Sequence, residues 1–349
     1  MAHVPKDKTC PKGHDGECGL YPASPATPYL LTPDAYFERE VFMDGKNTYL
    51  EGGIEHAVDF WGFLDTLLPM PDKSFPSPLI RVRQGQVVHT NLHSSHIHTI
   101  HHHGIEPTTH NDGVGHYSFD VQGDYTYQWY ASQSGTYFYH CHVNTVLHVE
   151  MGMYGALIID PPTGPGTVEG DGIGNFLPYD VEAAWAVDEI DTLWRCHGEH
   201  AALCGGDAEL NYLDPDIFVI NGINNEGTVV KLGGNDTMLY AGSAPGIAVH
   251  AKVGDRILLR YIHAGYFPHR LTFQGINDGL GPIWTVAEDG RPLAVAERVP
   301  AAGTVITSAE RREMYLTPRL AGTYRVNMEI LHWITGKPVG NVYTNIYVT

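Results

Sequence analysis

The sequence of 349 residues is poor in positive charge and in long apolar runs. Its 21 Lys and Arg stand against 40 Asp and Glu, giving a formal net charge of −19. That charge disfavours a nucleic-acid partner and repels anionic membranes. No apolar run approaches the roughly 18–20 residues of a transmembrane helix, so none is expected. Residues 1–8 lack the apolar core of a signal peptide, and a cytoplasmic location is therefore expected.

Cysteine is also scarce, with only five in the chain. One of them, Cys141, lies in the histidine-rich stretch described below. The other four form two segments of equal spacing, Cys10-x3-His14-x3-Cys18 and Cys196-x3-His200-x3-Cys204. Two disulfides, within or between the segments, are one interpretation. A structural metal held by thiolates and imidazoles is the other, although the spacing is not that of a standard zinc finger.

Turn-forming residues, by contrast, are abundant. The chain holds 39 Gly and 23 Pro, and 43% of its residues are hydrophobic, a balance typical of β-rich folds with real cores. Residues 35–43 alternate apolar and polar positions, which predicts a strand. The Pro- and Gly-rich residues 161–166 predict a linker. We expect an all-β chain with an arm over residues 1–26 and domains over residues 27–162 and 163–349.

Histidine is the most distinctive component, with 21 in the chain. Several lie between residues 98 and 153, together with a cysteine and a methionine. Two imidazoles, a thiolate and a long axial thioether are the ligand set of a blue, or type 1, copper site. We predict such a site at His98, Cys141, His148 and Met153.

Strand geometry assigns the neighbouring histidines to a second group. Successive side chains on a strand point to opposite faces, so Cys141 faces away from the residues on either side of it. By the same alternation, His98 faces away from the histidines three and five positions later. The opposite face therefore offers a catalytic copper site of up to four imidazoles, from His101, His103, His140 and His142. Electrons can pass between the two sites through a few covalent bonds.

A second register of the same HxxHxH pattern begins at His93 and includes His96. We prefer the register that begins at His98, because Gly104 follows it. His102 shares the strand parity of His98 and is the least defined member of the cluster. His110, Asp112 and His116 follow the cluster and are expected either to line a substrate pocket or to lie in a polar loop.

These motifs resemble those of a known family. The HxxHxHG of residues 98–104, the HCH of residues 140–142 and the later His148 and Met153 are similar to the copper-binding segments of multicopper oxidases. The two-domain layout resembles the copper nitrite reductases. The resemblance covers roughly residues 30–349 and is strongest in the first domain. It implies two tandem cupredoxin domains, each a Greek-key β-barrel, with copper as the cofactor.

The second half of the chain repeats the first weakly. Residues 322–329 align with residues 135–142, and the HCH becomes Asn327, Met328 and Glu329. The second domain is therefore expected to lack type 1 copper. His263 in this domain is expected to be structural.

Two other histidines of the second domain resemble functional positions of the nitrite reductases. The segment around His332 resembles the one that lends a histidine to the catalytic copper of a neighbouring subunit. His269 falls where those enzymes place a proton-donating histidine, and His269 or Glu329 is expected to supply protons. Nitrite reductases, however, have an acid where this chain has His101, and they lack a counterpart of His142. Both differences favour dioxygen over nitrite as the oxidant.

The expected function is copper-dependent oxidoreduction. Electrons from an organic reductant would enter at the Cys141 copper and pass to a catalytic copper site that reduces dioxygen. The alternatives are reduction of nitrite, or a non-enzymatic role as a copper-binding electron carrier or copper store. We expect a homotrimer, because a second-domain histidine should not easily reach its own first domain. The catalytic copper would then lie at each interface, held by His103 and His140 of one chain and His332 of the next.

Overall fold

The computed structural model describes residues 32–69, 71–115, 118, 120–170, 174–196, 213–232 and 234–349. The predicted arm at residues 1–26 and His116 lie outside these ranges. The regular secondary structure of the described chain is almost entirely β-strand, as predicted. None of its helices has the length and apolar character needed to span a membrane.

The first half of the chain forms eight strands. They are β1 Ala35–Glu51, β2 Ile54–Leu64, β3 Ser77–Arg83, β4 Val87–His98, β5 His101–His103, β6 Val121–Tyr130, β7 Gly135–His140 and β8 Tyr154–Asp160. A 3-10 turn spans Thr109–Asn111, and helix α1 spans Thr145–Glu150. One sheet contains β2, β1, β4 and β6, and the other has the order β3-β8-β7-β5. The two sheets pack over a core that includes Trp61, Leu92, Tyr127 and Leu157.

The second half supplies fifteen described strands and a short helix at residues 192–196. The strands are β9 Thr167–Glu169, β10 Phe176–Pro178, β11 Val181–Ile190, β12 Ile217–Ile220, β13 Thr228–Leu232, β14 Asn235–Leu239, β15 Val249–Ala251, β16 Ile257–His263, β17 His269–Phe273, β18 Ile283–Glu288, β19 Arg291–Arg298, β20 Thr304–Ile306, β21 Arg311–Leu316, β22 Gly322–Leu331 and β23 Pro338–Val348. Two sheets, ordered β12-β11-β16-β21-β18-β19 and β15-β23-β22-β17-β20, enclose the second core.

The two halves also share structure. The hairpin of β13 and β14 belongs to the second half but extends the first sheet, with Thr48 of β1 opposite Val229. The first sheet therefore includes two strands that lie beyond the predicted domain boundary at residue 162. A separate apolar cluster draws residues from both halves, including Phe138, Tyr154, Ile190 and Ile262. This cluster packs β7 and β8 against β11 and β16.

Polar contacts fix the same interface. Arg81 of β3 bridges Asp160 at 2.7 Å and Glu182 of β11 at 2.8 Å. The buried Arg260 pairs with Glu313 and donates to Thr136 Oγ1 of β7 at 3.0 Å. Since buried charges are costly unless paired, this arrangement favours one orientation of the two halves.

Candidate metal centres

The two sets of histidines come from strands that meet in one sheet. Strand β5 pairs with β7, so that His101 lies opposite His140. The chain leaves β7 at His140, and the next residue, Cys141, donates its backbone N–H to Met153 O at 3.0 Å. Side chains on neighbouring positions therefore enter different layers of the domain, as strand geometry predicts.

The first centre is formed by His98, Cys141 and His148, which are all buried. Cys141 Sγ lies 3.6 Å from His98 Nδ1 and 3.2 Å from His148 Nδ1. Helix α1 carries His148, and Met153 N donates to His148 O at 2.9 Å. Met153 is fully buried in the same core. The structure thus brings together the three predicted close ligands, and backbone hydrogen bonds tie the predicted axial residue, Met153, to Cys141 and His148.

The protonation of these groups suits a soft cation. Burial lowers the pKa of His98 to about 3 and that of His148 to about 4, so both imidazoles are neutral at neutral pH. Burial also raises the pKa of the Cys141 thiol to about 11. A metal ion that replaces the thiol proton would offset the cost of a buried thiolate. A thiolate and two imidazoles, together with the predicted axial thioether of Met153, are a donor set that fits copper.

The second centre is formed by His101, His103 and His140, whose donor atoms lie within 4.8 Å of one another. His103 Nδ1 faces His140 Nε2 at 3.2 Å. The pKa of His103 is lowered to about 3, and that of His140 falls well below its ordinary value, in both cases mainly through burial. Neutral imidazoles with converging nitrogens are suitable metal ligands.

Hydrogen bonds set the orientation of two of these rings. His101 Nδ1 lies 2.6 Å from the carbonyl oxygen of Asp112, and His140 Nδ1 lies 2.8 Å from that of Cys141. A carbonyl only accepts, so Nδ1 carries the hydrogen in each ring and Nε2 keeps its lone pair. The Asp112 carboxylate lies 3.5 Å from His101 Nδ1. Asp112 therefore stands directly behind a candidate ligand.

His142 belongs to the same site but lies outside the tight group. Its ring centroid is 5.4 Å from that of His101 and 5.7 Å from that of His140. It lines a cavity of about 220 Å³ together with the three converging histidines. Residues from the second half close that cavity, namely His263, Ala264, Gly265, Tyr266, Ser308 and Ala309.

His263 lines this cavity, whereas the sequence-based expectation gave this residue a structural role. Its position also corrects the premise that a second-domain histidine should not easily reach its own first domain. Contact between β16 and β7 within one chain brings His263 to the cavity. No motif in the sequence indicated this, because the proximity arises from packing between the two halves.

The other predicted second-domain residues do not line this cavity. His269 is buried behind His263, with its Nε2 3.0 Å from Glu189 Oε2. Glu329 forms an ion pair with Arg270 at 3.1 Å. His332 Nδ1 accepts backbone N–H groups of its own turn. Their predicted catalytic and ligand roles stay predictions.

The remaining histidines of the cluster take other positions. His102 points into the core, where its Nε2 lies 3.1 Å from Thr90 Oγ1 and its ring packs on Trp129. His93 is exposed and pairs with Asp124 at 2.9 Å. Among the described residues, the groups of converging ligand atoms contain histidines of the register that begins at His98, and neither group contains His93.

The cysteine pairs are tested only in part. Cys196 is exposed and forms no disulfide with another described cysteine. Cys10, Cys18 and Cys204 lie outside the described residues. Disulfides and a structural metal stay open as alternatives.

Comparison with known proteins connects this geometry to a family. Residues 65–164 match a family model described as multicopper oxidase. L-ascorbate oxidase of Cucumis sativus is 37% identical over 99 residues, which are 26% of this chain and 16% of that protein. Copper-containing nitrite reductase of Neisseria meningitidis serogroup B is 30% identical over 122 residues, which are 34% of this chain and 29% of that protein. The match thus spans less than a third of either curated relative.

Solved structures support the predicted cupredoxin fold along most of the chain. The blue copper oxidase from Nitrosomonas europaea has a TM-score of 0.63 at 23% identity, covering 90% of this chain and 86% of that one. The copper nitrite reductase from the same organism has a TM-score of 0.60 at 17% identity, covering 90% and 93%. At these identities the likeness concerns the fold.

Proposed function

We infer that this chain, whose first domain matches the multicopper oxidase family over residues 65–164, is a copper-dependent oxidoreductase. It takes electrons from an organic reductant at the centre of Cys141 and uses them at the second centre to reduce dioxygen. The observation that carries this proposal is the adjacency of His140 and Cys141. Consecutive residues supply donors to two separate clusters, which suits electron transfer between them.

The candidate ligands fall into two groups, one for each centre. His98, Cys141 and His148 would hold one copper with Met153 as the axial donor, and His101, His103 and His140 would hold another. Copper supplies one-electron chemistry by cycling between its two oxidation states. Burial keeps the first centre away from solvent, and the cavity beside the second centre admits a small molecule.

Reduction of nitrite is the second candidate. Similarity to a copper-containing nitrite reductase favours it. Dioxygen is preferred because His101 and His142 add imidazoles that the resemblance to nitrite reductases does not account for.

A purely electron-carrying protein needs only the first centre. The three converging imidazoles and the cavity of about 220 Å³ therefore favour a catalyst. Copper storage is disfavoured for the same reason, since the second set of donors faces a space that a substrate can enter.

Assembly as a homotrimer is part of the proposal. His332 occupies a turn whose next two residues, Trp333 and Ile334, are 63% and 84% exposed. Exposed apolar side chains beside a potential ligand suit an interface with another copy. In that assembly His332 would join His103 and His140 of the neighbouring chain, and His269 or Glu329 would serve as proton donor.

Copper content tests the proposal first. Metal analysis and electron paramagnetic resonance should give two or more coppers per chain, one of them with type 1 character. Turnover is then measured with dioxygen and with nitrite under a supply of electrons. One copper per chain without turnover would instead support an electron carrier.

A further inference from the structure

His263 lines the cavity and has a ring nitrogen whose hydrogen-bonding capacity is not used by the described residues. His263 is fully buried, and its Nε2 lies 2.7 Å from the carbonyl oxygen of Phe267. Because a carbonyl only accepts, Nε2 carries the hydrogen and Nδ1 carries the lone pair. Nδ1 has no hydrogen-bond partner among the described residues.

The ring of His263 is held in place from behind. It stacks on His269 with a centroid distance of 3.6 Å and an interplanar angle of 14°. His269 is fixed in turn by Tyr261, whose hydroxyl lies 2.8 Å from Nδ1, and by Glu189 at 3.0 Å from Nε2. The same carboxylate accepts the backbone N–H of Phe267 at 2.7 Å. The orientation of His263 is therefore set by contacts within the second domain.

The arrangement matches that of two rings of the metal cluster. His101, His140 and His263 each bond one ring nitrogen to a backbone carbonyl, which fixes the ring and directs the other nitrogen away from that carbonyl. This is how proteins present an imidazole to a ligand. A buried nitrogen left without any partner costs about 1–3 kcal/mol. A small molecule in the adjoining cavity would remove that cost.

We propose that His263 is a second-domain binding residue of this cavity, and that its Nδ1 accepts a hydrogen bond from an O–H or N–H group of the molecule held there. The molecule is thus water or a protonated oxygen or nitrogen species, since a bare anion offers no hydrogen to Nδ1. The inference rests on the proposed function only for the presence of copper in the cavity. Burial lowers the pKa of His263 to about 3, in agreement with a neutral acceptor.

Azide provides a direct probe, because it has no hydrogen and displaces water from copper. In the copper-loaded protein, His263→Phe removes the acceptor that stabilises cavity water. Azide should then bind about fivefold more tightly, as expected for a lost hydrogen bond of about 1 kcal/mol. The affinity is measured by optical titration and electron paramagnetic resonance. His263→Gln, which keeps an acceptor oxygen, should restore wild-type affinity.

Tyr266→Phe is the matched control. Tyr266 lines the same cavity, but its hydroxyl is already donated to the carbonyl of Val146. Unchanged or weaker azide binding by His263→Phe at wild-type copper content would overturn the proposal. Loss of the cavity copper in that variant would also overturn it, because His263 would then be a metal ligand.

A second measurement does not depend on copper. A high-resolution crystal structure of the copper-free protein should show an ordered water within hydrogen-bond distance of His263 Nδ1. A vacant cavity around Nδ1 would contradict the assignment. If that water is present but the wild-type cavity takes up no copper, the proposed function fails while the role of His263 stands.

Discussion

His140 and Cys141 are consecutive in the chain, yet their side chains join different clusters of metal ligands. His140 Nε2 lies 3.2 Å from His103 Nδ1, whereas Cys141 Sγ lies 3.2 Å from His148 Nδ1. The end of β7 directs the two side chains to opposite sides of the sheet. A covalent path through one peptide group therefore connects the two candidate copper centres.

Cys141→Ser tests the first centre. A serine hydroxyl replaces the soft thiolate, so the intense visible charge-transfer band of the copper-loaded protein should disappear, together with electron entry. The second centre uses other donors and should stay populated with copper. Optical spectroscopy and metal analysis measure the two effects separately. A variant that stays blue would show that Cys141 is not the thiolate ligand.

Met153→Leu tests the axial position. The three ligands that give the visible band are retained, so the band should persist. Loss of the weak axial donor should raise the reduction potential of the copper. Redox titration measures the change. Leucine has a volume similar to that of methionine, so the buried site should keep its packing. An unchanged potential would count against Met153 as a ligand.

Much of this architecture was predictable from local pattern. Period-two alternation and the position of the HCH motif predicted strands, and strand parity separated His140 from Cys141. The proximity of His98 and Cys141 was also predictable, because it depends only on two segments of the same domain lying next to each other. These features depend on neighbours in sequence or on a strand pair whose partners carry recognisable motifs.

Other features depend on how the two halves pack. His263 reaches the cavity because β16 lies against β7, and its sequence context resembles that of an ordinary core histidine. The hairpin of β13 and β14 joins the first sheet through β1, although it follows the second-half strand β12. Contacts between segments far apart in sequence leave no local pattern, so neither feature was predicted.

Asp188→Asn tests the buried acidic layer between the halves. Burial raises the pKa of the Asp188 carboxyl to about 7, above its ordinary value of 3.8. Between about pH 4 and 7 the folded protein therefore binds a proton that the unfolded chain releases, and stability falls as pH rises through this window. Asparagine does not titrate and can still accept from the Tyr154 hydroxyl, which lies 2.7 Å from Asp188.

The variant should therefore gain stability relative to wild type from pH 4 to 7, by on the order of 1 kcal/mol or more. Denaturant unfolding of both proteins across this range measures the difference. Asp236→Asn is the control, because Asp236 pairs with Lys231 in an exposed position. Parallel pH dependences for Asp188→Asn and wild type would contradict the raised pKa.

His332→Ala tests the shared site of the proposed homotrimer. His332 lies in an exposed turn and does not line the cavity of its own chain. If it completes the second centre of a neighbouring chain, its removal should empty that centre and abolish turnover while the visible band of the first centre persists. Copper analysis, optical spectroscopy and activity measure the three effects, and size determination in solution gives the number of subunits.

Mixing two inactive variants tests sharing directly. His332→Ala lacks the donated histidine, and His140→Ala lacks a receiving ligand, so neither forms a complete second centre alone. In a mixed ring, some interfaces combine an intact His332 of one chain with an intact His140 of the next. Part of the wild-type activity should therefore return after the subunits are dissociated and reassembled together. A fully active monomer, or no recovery in well-mixed rings, would contradict a second centre shared between chains.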